Sequence, residues 1–226
     1  MKTDEELQHD VMEEIKWDPR LKSIATQVGV TAKDGVITLS GEVDTYRKKI
    51  AAEHAAQRVA GVKVIAVNIQ VNLEGNAAKT DIDIARAVGE ALKWNSSINE
   101  DTIEVKVESG WVFLDGTVEW EFQRKIVEGT VHELAGVRGV TNRIVVTSKL
   151  SISPTEIKEK IASAFHRSAT IDSSAVRVEV SGGKVKLIGK VRTWLERQEA
   201  ENAAWSSAGV VEVDNKIEVD AALELV

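Results

Sequence analysis

The stretch VITLSGEV, Val36 to Val43, alternates like a strand with one face in a core, yet it meets a glycine at Gly41 where the strand should still be running. Glycine inside a strand costs roughly 0.5–1 kcal/mol relative to alanine, so the position needs a reason. The same pattern returns as VFLDGTV around Gly116 and as VKLIGKV around Gly189. Each is followed by a second glycine, Gly61, Gly136 or Gly209, set in VAGV, LAGV and SAGV. Each is preceded by a helix-start signal: TDEE from Thr3, TDID from Thr80 and SPTE from Ser153. The chain is a tandem array of one unit, repeated three times.

The unit reads in order. Thr3 with Glu6 and Ser153 with Glu156 form capping boxes, Thr80 with Asp83 forms a near-equivalent, and Pro154 takes the favoured first helical position. The apolar stripes Leu7, Val11, Ile15; Ile84, Val88, Leu92; and Ile157, Ile161, Phe165 follow at helical spacing. Two alternating strands come next, joined by Asp34-Gly35, Ser109-Gly110 and Gly182-Gly183 turns. The first has inward residues Val28, Val30, Ala32; Ile103, Val105, Val107; and Val176, Val178, Val180. The second places Ile37, Leu39, Gly41, Val43 and their counterparts on one face, so close approach of a helix is the expected reason for the glycine.

That helix spans about 45–60, 120–135 and 193–208, its inward line being Ala52, Ala56, Val59; Val127, Val131, Leu134; and Ala200, Ala204, Ser207. Gly61, Gly136 and Gly209 end it. A third strand, parallel to the second by the right-handed crossover rule, closes the unit. The fold class is α+β: three αββαβ domains, each a three-stranded mixed sheet with two helices on one face, over 1–73, 80–147 and 153–221. The linkers EGNAAK (74–79) and TSKLSI (147–152) are too short and too little enriched in Pro, Gly or Ser to be free tethers, so neighbouring domains are expected to touch.

The order of elements, the strand glycine followed two residues on by valine, the helix-ending AGV and the Asn-x-Ile strand of the later copies resemble the BON domain, named for bacterial osmotically inducible and nodulation proteins. The resemblance covers nearly the whole chain and supplies structural positions rather than a catalytic set. It implies a role in osmotic or envelope stress through phospholipid or membrane-associated partners. The alternative it implies is a cytosolic oligomerising scaffold or a potassium-type, ion-responsive binder.

Composition bounds the rest. The 226 residues are 43% hydrophobic and 29% charged, with formal net charge −7 and no cysteine. An acidic chain is a poor general ligand for nucleic acid. Without cysteine there are no disulfides and no thiolate chemistry. The apolar runs are too short to span a bilayer, and the start MKTDEELQHD has no secretory h-region, so a cytoplasmic location, peripheral at the inner membrane, is expected. His9, His54, His132 and His166 have no metal-ligand spacing, and Asp81 and Asp83 suit a helix N-terminus. No enzyme, cofactor or metal is expected.

The outward faces of the second strands differ between copies. Trp111 and Phe113 alternate with the core residues Val112 and Leu114, which puts them on the open face, with Trp120 extending the patch. A neighbouring domain, a second chain or a lipid interface could cover them. In the third copy Lys184, Lys186, Lys190 and Arg192 form a basic strip, read as an anion or headgroup site or as a solvated face with Arg177/Glu179 and Asp214/Glu218 beside it. Asn142 and Asn215, in phase with core residues, need hydrogen-bond partners.

Overall fold

The computed structural model describes residues 2–73, 79–168 and 170–220; most of the first linker, 74–78, lies outside them. The first repeat runs α1 (Asp4–Trp17), β1 (Val28–Lys33), β2 (Val36–Val43), α2 (Tyr46–Arg58) and β3 (Val64–Val71). The second runs α3 (Asp81–Lys93), β4 (Ile103–Glu108), β5 (Trp111–Val118), α4 (Glu121–His132), β6 (Gly139–Asn142) and β7 (Val145–Val146). The third runs α5 (Pro154–Arg167), β8 (Val176–Ser181), β9 (Lys184–Val191), α6 (Trp194–Trp205) and β10 (Glu212–Val219). Each sheet has the second strand at its centre, antiparallel to the first; β5 with β6 and β9 with β10 are parallel. The expected single third strand of the second repeat is interrupted at Arg143–Ile144, where the Asn142 carboxamide oxygen accepts the Ile144 N–H.

The helix stripes are buried as their spacing requires: Leu7, Val11, Ile15; Ile84, Val88, Leu92; Ile157, Ile161, Phe165. Ile37, Leu39, Val43 and their equivalents on the central strands are buried as well. Val59, Leu134 and the first-strand residues Ala32, Ile103, Val105, Val107 and Val180 are half-buried instead, while Ala51 and Ala55 join the core. The reciprocal capping box forms at Thr3 with Glu6 and, against expectation, at Thr80 with Asp83. At Ser153 only the half in which the hydroxyl accepts the Glu156 N–H forms, and the Glu156 carboxylate pairs with Lys160 at 2.7 Å.

The strand glycines require a correction. Their φ angles are +129°, +127° and +157° at Gly41, Gly116 and Gly189, and a Cβ there would collide with the backbone carbonyl oxygen of Gln27, Thr102 or Ala175. Each of those residues immediately precedes the first strand. The contact that excludes a side chain is therefore main chain within the hairpin, not the helix above it. Antiparallel pairing ends at Val28 with Gly41, Ile103 with Gly116 and Val176 with Gly189, and beyond this point the central strand leaves its first neighbour. Gly61, Gly136 and Gly209 also have positive φ, as expected past a helix end.

By internal contacts, the described residues of 1–41, 51–69 and 150–226 form one unit and those of 42–50 with 70–149 another. Within the second, the Tyr46 ring meets His132 edge-on at 5.1 Å between centroids, and Arg47 pairs with Glu133 at 2.8 Å.

Candidate functional site

The open sheet face of the second repeat is built by register. Trp111 stands opposite Gly139 and Phe113 opposite Thr141. The glycine leaves room for the indole, since a Cβ at Gly139 would come within 2.6 Å of the Trp111 ring. The indole N–H donates to Thr141 Oγ1 at 2.9 Å, and the residue stays 42% exposed. Phe113 is half-buried, with the Lys106 ammonium 5.7 Å and the Arg143 guanidinium 5.6 Å from its ring centroid. Arg143 also donates two hydrogen bonds to Asp115, at 2.8 and 2.7 Å, and these hold the Asp115 carboxyl below its ordinary pKa. Exposed Val145 completes an aromatic and apolar strip edged by charge. Trp120 is half-buried just before α4, its backbone N–H donating to the Gln123 carboxamide oxygen.

The third-repeat strip is accompanied by acids. Lys184 pairs with Glu212 at 2.5 Å, Lys190 lies 3.8 Å from Glu218 and 3.7 Å from Asp220, and Arg192 pairs with Glu196 at 3.2 Å. Arg177 with Glu179 and Lys216 with Asp214 extend the alternation. The face is an ionic lattice rather than a single-sign patch.

The polar residues in core phase hold strands to helices. Asn142 Nδ2 donates to the Arg124 carbonyl and to Glu128, and Asn215 Nδ2 donates to the Arg197 carbonyl and to Glu201. Asp81 does more than face a helix dipole: its carboxylate accepts the Ser109 and Gly110 N–H groups at 2.8 Å each, fixing the β4–β5 turn. Among the described residues no group of three or more His, Cys, Asp or Glu is placed to hold a metal. No described helix is long and apolar enough to cross a membrane.

Sequence reasoning passed over two residues. Trp17, the last residue of α1, is 82% exposed, and Trp94, just after α3, is 88% exposed. They occupy equivalent positions, each preceded by a lysine, Lys16 or Lys93. The signal was present: each lies two residues past the last stripe residue, Ile15 or Leu92, hence out of phase with the buried face. The third repeat has Arg167 at this place.

The BON domain model matches residues 3–72, 80–148 and 153–221. No curated protein matches the chain. Among solved structures, one of CdsD, a structural protein of the type III secretion system of Chlamydia trachomatis, aligns at 17% identity over 92% of this chain and 90% of that one, with a TM-score of 0.25. The C-terminal domain of CdsD aligns at 16% identity over 97% and 100%, with a TM-score of 0.26.

Proposed function

This chain belongs to the BON domain family three times over, and from there we propose that it is a non-enzymatic protein of the osmotic or envelope-stress type whose modules bind phospholipid at a bilayer surface. The observation that carries the reading is the pair Trp17 and Trp94, almost fully in solvent at equivalent helix ends beside Lys16 and Lys93. Indole rings favour the headgroup boundary, and a neighbouring ammonium can remain among the phosphates. With a net charge of −7, whole-molecule attraction to anionic lipid is unfavourable, so binding must come from local insertion. Attachment is peripheral.

Flotation with neutral and anionic vesicles tests this. The parent should float, and Trp17→Ser with Trp94→Ser should weaken partitioning by about tenfold for each indole removed. Absence of flotation with both vesicle types, or flotation unchanged in the double variant, would remove the reading.

A second reading, a protein partner, is favoured by the Trp111–Phe113 face, where Asp115 and Arg143 supply directional polar contacts beside aromatic area.

A further inference from the structure

A groove of about 530 Å³ lies between α5 and α6 of the third repeat, lined by small residues such as Ser163, Ala203 and Ser207 and by the charged side chains of Glu159, Arg167 and the Glu156–Lys160 ion pair. Ser207 is only 9% exposed, lines this groove, and its hydroxyl has no hydrogen-bond partner among the described residues. The first repeat closes the equivalent groove: Arg58 reaches across it from α2 to Glu14 at 2.6 Å and to Asp18 at 3.3 Å. In the third repeat these residues are replaced by Ser206, Ala164 and Ser168, and that bridge is gone.

Along the outer row of α5, Glu159, Ser163 and Arg167 follow at one-turn spacing. All three are exposed, and neither Glu159 nor Arg167 has an ion pair among the described residues. The row is acid, small residue, base, symmetric in position about Ser163. A second α5 laid antiparallel across the first, with the two-fold axis at Ser163, sets each Glu159 against the other copy's Arg167. Ser163 then meets itself, small enough for the helices to approach at the close end of their usual 8–10 Å separation. The equivalent rows are His9, Glu13, Trp17 and Arg86, Glu90, Trp94. Either would put glutamate against glutamate at the axis. Only the third repeat is self-complementary.

We propose that the α5–α6 groove of the third repeat is an isologous dimer interface that receives α5 of a second copy of this chain. Ser207 lines the groove that the incoming helix fills, where its hydroxyl would find a partner. The third repeat, which lacks the helix-end tryptophan, joins two chains, while the first two repeats keep theirs exposed. The inference stands independently of lipid binding.

Sedimentation velocity on the full chain over a wide concentration series tests it. The parent should move reversibly from one chain mass towards two. Glu159→Arg and Arg167→Glu, made singly, should each weaken the dimer about tenfold or more by placing like charges together. The two combined should restore it, because the pairs reform with signs exchanged. Circular dichroism of each variant confirms that the helices persist. A parent that stays monomeric, singles that dimerise like the parent, or a double variant that fails to recover would each overturn the proposal.

Discussion

The sheets of the second and third repeats share a backbone register but present opposite chemistry to solvent. Trp111 and Phe113 sit where Lys184 and Lys186 sit, and Arg143 with Asp115 where Lys216 with Ile188 sit. Inward, the two are almost interchangeable: Val112, Leu114, Val118 against Val185, Leu187, Val191. Alternation explains this. Successive side chains point to opposite faces, so the core can be kept while the open face changes without disturbing it. What the repeats share is the fold. What they do apart must reside in the positions where they differ.

If that division holds, a shared backbone feature should respond alike in all three repeats. Gly41→Ala, Gly116→Ala and Gly189→Ala should each destabilise the affected repeat by about 2–4 kcal/mol, because each adds a Cβ against a backbone carbonyl at positive φ. Helix packing as the cause predicts a different order, since the residues on the second helix are Ala52 and Ala56 in one repeat but Val127 and Val131 in another. Thermal melts of the three full-length variants decide between them. Sensitivity confined to one repeat would break the comparison.

A smaller effect should mark a feature that only the first repeat has. Asp18 is buried at the end of α1, where the second repeat has Asn95 and the third Ser168. Hydrogen bonds from Arg20, at 2.9 and 2.6 Å, and from Arg58 outweigh the cost of burial and hold its carboxyl far below the ordinary range. A carboxylate depressed in the folded state stabilises above its unfolded pKa, and the contribution is lost as pH falls towards the folded value. Asp18→Asn should therefore cost about 1–3 kcal/mol near neutral pH. It should also flatten the acid limb of the first repeat's stability profile. An acid limb identical to the parent's would show that Asp18 contributes nothing there.

The glycines also mark how far the sequence can be read. Their recurrence located the strands, the hairpins and the repeat, because periodicity is local. Their cause was misread, because the collision is with Gln27, Thr102 or Ala175, whose carbonyls come near only once the hairpin has folded. Asp18 was invisible for the same reason: Arg20 is close in sequence, but Arg58 arrives from another helix. Trp111 and Phe113 were placed correctly on the open face by alternation alone. Gly139, which makes room for the indole, read only as part of a strand. The basic strip was legible as cations with Glu218 on a neighbouring strand, but its pairing with Glu212 and Asp220 depended on the parallel register of β10.

The least disruptive test applies to the two open faces. Replacing Lys184, Lys186, Lys190 and Arg192 with glutamine removes four exposed cations, three of which already share their charge with acids. Exposed pairs contribute little and are screened by salt, so affinity for anionic vesicles should change by no more than about a factor of two at physiological ionic strength. Replacing Trp111 and Phe113 with serine should leave the second repeat folded at a cost of about 1–2 kcal/mol, because Val112 and Leu114 carry the core contacts while the indole–Thr141 bond and the cation–π contacts of Phe113 are lost. If this face meets lipid, that variant should lose more binding than the glutamine variant. If it meets protein, flotation should hold while association with that partner falls. Were the glutamine variant the more damaged of the two, the ionic face would be the functional one, and the aromatic face only a covered strip of sheet.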